Sequence, residues 1–178
     1  MKIAIPAVAL AGLLSTAPMP AVSKAQQPMS CARVNEQQVA ALFDRWNASL
    51  GTGDPDKVAA NYAPDGVLLA TVSNRPRKTP ADIREYFVKF LKAKPVGKID
   101  SRTVKIGCNI AQDVGTYTFR FADGKTVHAR YTYVYEWNGE KWLIAHHHSS
   151  AMPEPVADAE RAAPSGEPGK RAGNASKR

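Results

Sequence analysis

Cysteine is scarce in this 178-residue chain: Cys31 and Cys108 are the only two. That excludes a disulfide-scaffolded miniprotein and a cysteine-rich zinc ribbon. No Gly-x-Ser-x-Gly elbow occurs and no phosphate-binding glycine loop, so neither a serine-hydrolase site nor a mononucleotide cradle is written in the chain. No basic stripe has stacking aromatics interleaved with it, which argues against a nucleic-acid partner. The longest apolar run, near the N-terminus, is too short to cross a bilayer as a mature helix. Internal repeats are absent as well.

What is present begins with an export pattern. Lys2 is a short positive region, Ile3 to Leu14 is apolar, and Ser23-Lys24-Ala25 offers a small-x-small cleavage site before Gln26. Residues 1–25 therefore read as a cleaved secretory signal, with the mature protein periplasmic or secreted and without an integral membrane segment. A lipoprotein reading is weaker, since Pro28-Met29-Ser30-Cys31 lacks the apolar residue expected three before the cysteine. In an oxidising compartment Cys31 and Cys108 read as a structural disulfide, worth roughly 4 kcal/mol for so long a loop. The alternative is two separate buried thiols.

The formal net charge is +8; the signal segment carries +2 and the stretch after Met152 carries +1, leaving +5 between them. Those charges concentrate at Arg75, Arg77 and Lys78 and along Lys89, Lys92, Lys94 and Lys98, a pattern that reads as a solvated basic face. From Pro153 the composition turns to Pro, Ala, Gly, Glu and Lys without an aromatic residue, as in a disordered tail. One folded unit is expected over 31–152.

Within it, Asn35 and Gln38 form a capping box for a helix with Val39, Leu42, Phe43, Trp46 and Leu50 at helical spacing, stopped by Gly51. Asp54-Pro55 starts a short second helix carrying Val58, Ala59 and Tyr62. Val67 to Val72 reads as a strand. Thr79-Pro80 caps a third helix with Ile83, Tyr86, Phe87, Phe90 and Leu91 on one face. The remainder reads as four antiparallel strands, Ile99–Ile106, Gly115–Phe121, Thr126–Trp137 and Lys141–Ser149, with two-residue hairpin turns at Asp123-Gly124 and Asn138-Gly139. The fold class is α+β: a conical, curved antiparallel sheet with about three helices on its concave face.

Two-residue turns set a register in which Arg120 opposes Val127, Tyr135 opposes Trp142 and Tyr131 opposes His146. Strand alternation then gathers Arg120, Tyr131, Tyr133, Tyr135, Trp142, Ile144, His146 and His148 on one face. Tyr117, Phe119, His128, Arg130, Thr132 and His147 fall on the other, whose aromatic surface suggests a subunit contact.

Gly53-Asp54, the run Tyr62-Ala63-Pro64-Asp65-Gly66-Val67, and the ending Trp142-x-Ile144-x-His146-x-His148-x-Ser150 resemble the nuclear-transport-factor-2-like superfamily, which also holds the SnoaL-like proteins. Within it the chain is most similar, over roughly Asn35 to Pro153, to the association domain of calcium/calmodulin-dependent protein kinase II and its SgcJ/EcaC-like bacterial relatives. That resemblance implies a conical cystatin-like fold, homodimers or larger rings formed through the sheet, and a deep cavity lined by Arg and His. It does not carry kinase activity or calmodulin as a partner, since no kinase domain is present.

The candidate ligand-binding residues are Arg120, Tyr131, Tyr133, His146 and His148. His146 and His148 share a face without a third ligand, so no metal and no cofactor is expected; the remaining readings are structural histidines or a ligand-binding, proton-relaying pair. Arg120 reads either as an anchor for a carboxylate or as half of an internal ion pair. Trp46 and Tyr62 read as core or cavity wall. Three functions follow: an exported oligomeric protein binding a small polar or anionic organic molecule, an isomerase or cyclase with a histidine general acid/base, or a structural oligomerisation module.

Overall fold

In a computed structural model, residues 30–154 are described. The expected signal segment at 1–25 and the expected tail beyond Glu154 lie outside them. Helix α1 (Glu36–Gly51) is set by Asn35, whose side chain accepts from the Gln38 backbone at 2.8 Å while the Gln38 side chain accepts from the Asn35 N–H at 3.0 Å. Val39, Phe43, Trp46 and Leu50 are its buried stripe. Helix α2 (Pro55–Ala59) follows the Asp54 cap, and helix α3 (Pro80–Phe90) follows Thr79, continuing into a 3-10 turn over Leu91–Ala93.

Five strands form one unclosed, curved sheet in the order β1-β5-β4-β3-β2, where β1 is Tyr62–Leu69, β2 Val96–Gly107, β3 Ile110–Arg120, β4 Thr126–Trp137 and β5 Trp142–Ala151. β2 to β5 are an antiparallel meander; β1 joins the far edge parallel to β5, so the sheet is mixed. The helices cover its inner face. Phe43 lies 6.1–6.4 Å from Tyr117, Tyr131 and Tyr133, and Trp46 meets Tyr133, Phe119, Phe87 and His147 at 5.3–6.3 Å. Each such offset or edge-on pair adds about 0.5–1.5 kcal/mol beyond burial.

Two local irregularities overturn the expected faces. The β3–β4 connection is a three-residue loop, closed by the Phe121 N–H donating to the Lys125 carbonyl at 2.9 Å, with Gly124 at φ +83. Arg120 therefore opposes Thr126, one residue off the two-residue register. Because side chains alternate, that single slip turns Arg120 outward and brings Tyr117 and Phe119 in. In the β4–β5 hairpin the turn closes over Gly139-Glu140, one residue later than expected, with the Asn138 N–H donating to the Lys141 carbonyl at 3.2 Å. Tyr135 therefore opposes Ile144 instead of Trp142, still as a same-face pair, but a bulge at Ala145 then sets Val134 opposite His146. The extra residue reverses the phase of the rest of β5. His147 is 4 % exposed and faces in, whereas His146 and His148 are exposed on the outer face.

A third irregularity, at Asp100, lets Ser101 and Arg102 pair with Thr116 and Gly115. A Cβ on Gly115 would stand 2.0 Å from the Ser101 carbonyl oxygen, so only glycine permits this approach. Cys31 and Cys108 are joined by a disulfide, with Cys108-Asn109 forming the tight β2–β3 turn. Asn109 adds to the anchor: its side-chain oxygen accepts from the Ala32 N–H at 2.8 Å and its amide donates to the Ser30 carbonyl at 3.1 Å.

Candidate functional site

Between the concave sheet and α3 lies a cavity of about 470 Å³, within the range of small-molecule sites. Its walls are mainly apolar, with Trp46, Leu68, Phe87, Phe90, Phe119 and Ala129 among them. Val72, which is 79 % exposed, also borders it and marks its open side.

The polar groups of the floor come from β5, β3 and the turn that follows β1. Tyr117 donates its hydroxyl hydrogen to Ser149 Oγ at 2.6 Å, and Ser149 is hydrogen-bonded in turn to Thr71. Thr71 is the half-buried, cavity-facing end of this chain. Burial pushes the Tyr117 phenol up, against the partial offset of its bond to Ser149. It stays protonated at neutral pH and works as a donor.

His147 is two residues along the same face. Its Nδ1 is 2.8 Å from the Tyr62 hydroxyl, its ring is stacked on Tyr133 at 4.1 Å, and Nε2 has no partner among the described residues. Burial pushes the His147 imidazole down to about 3, with His148 adding a smaller push in the same direction. Burial also raises Tyr62, so its phenol keeps its proton. A protonated Tyr62 donating to Nδ1 leaves the imidazole hydrogen on Nε2.

The sequence-derived candidates are distributed differently from their expected arrangement. Tyr131 and Tyr133 face inward but pack beneath the cavity rather than lining it, Tyr131 bonded to Asp113 and Tyr133 wedged between His147 and Tyr135. Arg120, His146 and His148 stand on the outer face, away from them, for the register reasons given above. On the sheet the inward-facing arginine among the described residues is Arg102, on β2. Its Nε donates to both oxygens of fully buried Asp113 at 3.0–3.1 Å, and Tyr131 donates to the same carboxylate at 2.8 Å. This ion pair lies outside the cavity lining.

Two cationic side chains do line the cavity: Arg77, from the β1–α3 loop, and Lys89, on α3. No carboxylate is among the described lining residues. Sequence reading passed over Thr71, Ser149, Tyr117 and Arg77 because their inward orientation depends on the slipped hairpin, the bulge and one loop. The one signal that could have found them was the alternation Tyr117-x-Phe119-x-Phe121, whose apolar bulk belongs against helices rather than in water.

A cone of three helices on a curved five-stranded sheet, opening into an internal cavity, defines a nuclear-transport-factor-2-like protein of cystatin-like fold. The chain belongs to the calcium/calmodulin dependent protein kinase II association domain family, which it matches over residues 35–153. It is similar to a Xanthomonas campestris protein provisionally described as such an association domain, at 50% identity, covering 72% of this chain and 99% of that one, with a TM-score of 0.65. A nuclear-transport-factor-2-like protein of unknown function from Pseudomonas putida KT2440 shares the fold at 20% identity, covering 68% of this chain and 89% of that one, with a TM-score of 0.60. So does a protein from Streptomyces avermitilis provisionally described as a dehydratase, at 11% identity, covering 66% of this chain and 96% of that one, also at a TM-score of 0.60.

Proposed function

We propose that this is an exported, self-associating protein that binds a small organic molecule in the cavity between α3 and the sheet. The observation that carries the reading is the composition of that cavity: apolar walls, a hydroxyl chain ending at Thr71, and no acidic group among the described lining residues. An apolar pocket with a few convergent polar groups fits a ligand-binding role. The disulfide between Cys31 and Cys108 is consistent with an oxidising, extracellular location, and an association-domain family supports self-assembly.

The isomerase or cyclase reading needs a general base poised near the working pH. His147, the one histidine among the described lining residues, is held near 3 and has its Nδ1 engaged by Tyr62. Binding is the reading that this electrostatic setting favours.

The neutral fluorescent probe N-phenyl-1-naphthylamine should bind saturably, one molecule per protomer. Ala129→Phe and Ala70→Phe, which fill the cavity from two sides, should each abolish that signal while circular dichroism remains native. A parent protein that leaves the probe dark, or two folded variants that bind it undiminished, would sink the reading. Light scattering on the mature protein should give a dimer or larger; a strict monomer would remove self-association from it.

A further inference from the structure

Arg77 is an unusual wall for an apolar cavity. Its backbone is fixed by paired hydrogen bonds with Leu68, N–H to carbonyl in both directions at 2.9 Å, so the side chain projects from a rigid base. That side chain is only 12 % exposed and its Nε has no partner among the described residues. The two terminal nitrogens make long contacts, 3.3 Å to Glu85 and 3.4 Å to Ser73. Glu85 is itself 54 % exposed and shared with Arg75, which holds Asp82 more closely at 2.6 Å. The guanidinium also stacks 6.0 Å from the centre of the Tyr86 ring, another cavity wall.

A guanidinium carries five donors in a planar fork matched to a carboxylate. Here two are occupied weakly and none by a buried anion. Lys89 contributes a second positive charge to the same cavity, and among the described residues it has no ion-pair partner. With His147 neutral and no carboxylate among the described lining residues, the cavity has a positive wall, offset only by the half-exposed Glu85 at its rim, facing aromatic ones.

We propose that the cavity selects an apolar, ring-bearing monocarboxylate, its carboxylate held by Arg77 beside Lys89 and its rings packed on Phe90, Phe119 and Trp46. This rests on the ligand-binding reading of the cavity and adds the chemical class of the ligand. Glu85 is the internal competitor: it occupies Arg77 when no acid is bound and, being at the surface, swings into water when one is. A dianion such as a phosphate monoester is a poorer match, because one guanidinium and one exposed ammonium cannot satisfy it in an otherwise apolar chamber.

The test compares 2-naphthoate with 2-naphthamide, a neutral molecule of nearly the same shape, by displacement of N-phenyl-1-naphthylamine at pH 7. Naphthoate should bind roughly tenfold tighter or better, the gain of charge-assisted hydrogen bonds. Arg77→Met should erase that preference and leave naphthamide binding unchanged, which also certifies an intact cavity. Glu85→Gln should tighten naphthoate and not naphthamide. Equal binding of the two probes by the parent overturns the selectivity and leaves the cavity reading standing. Equal loss of both in Arg77→Met makes Arg77 structural and likewise overturns it. If neither probe binds the parent, both readings fall together.

Discussion

Lowering the pH from about 6.5 to 3 is expected to cost the folded protein roughly 4 kcal/mol through His147 alone, the size that follows from displacing its imidazole to about 3 at 1.36 kcal/mol per unit. The sign is fixed by which state takes the proton. In the unfolded chain the imidazole protonates just below neutrality; in the fold, burial against Tyr133, Trp46 and Tyr62 keeps it neutral. The unfolded state therefore binds more protons in that window. The stabilisation is fully present above 6.5 and is lost as pH falls toward 3.

Asp82 and Asp123 act in the same direction, held below the usual carboxylate range by Thr79 and Lys125 respectively. Both lie in solvent-screened positions and add little. Urea unfolding across this range measures the slope, and His147→Gln, which retains a polar partner for Tyr62, should flatten most of it. A variant with the parent's full acid slope would show that His147 is not its source. The same displacement predicts flat ligand affinity between pH 5 and 8, where a histidine of ordinary acidity in the cavity would produce a step.

The three helices were legible because their signals are local. Asn35 with Gln38, Asp54 with Pro55, and Thr79 with Pro80 each place a side-chain acceptor at a fixed offset from backbone donors, and all three caps form. The strands were legible as segments for the same reason. Which face of each strand meets the helices was not local information. It turned on whether Asp123-Gly124 closes a two-residue or a three-residue loop, and glycine in the left-handed region serves both.

At β5 the difficulty was deeper. Three consecutive histidines present the same side chain in either phase, so a one-residue bulge there leaves no trace in the hydrophobic pattern. The bulge at Ala145 and the slip at Arg120 exchanged three members of the expected inner set, Arg120, His146 and His148, for Tyr117, Phe119, His147 and Ser149, while Tyr131, Tyr133, Tyr135, Trp142 and Ile144 stayed inside. Burial energy could have decided the first hairpin: leaving Tyr117 and Phe119 in water to bury Arg120 and Thr118 forgoes several kcal/mol of apolar transfer. No comparable argument distinguishes His147 from its neighbours. Its inward position depends on the stacking with Tyr133 and the bond to Tyr62, both contacts remote in sequence.

Replacing Arg102 with Met is expected to destabilise the protein by about 3 kcal/mol at neutral pH, the low end for breaking a buried pair because water reaches part of the arginine. Arg102 is 24 % exposed, but its partner Asp113 is 0 % exposed and would keep only the Tyr131 hydroxyl as a donor. Burial already raises the Asp113 carboxyl, with Tyr131 and Arg102 offsetting part of that push; removing the arginine raises it further. This is the opposite sign to His147. A carboxyl with a raised folded value takes up a proton more readily in the fold, so the contribution of Asp113 to the variant's stability is most favourable below the ordinary aspartate range and is lost as pH rises through the displaced value. Arg102→Met should therefore lie nearest the parent at about pH 4 and fall away toward pH 7, when both are unfolded in urea. Adding Asp113→Leu should restore much of the loss, since exchanging a whole buried pair for apolar groups costs far less than orphaning one member. A deficit in Arg102→Met that is the same at pH 4 and 7, and that Asp113→Leu deepens, would mean that Arg102 holds edge strand β2 by packing rather than by charge.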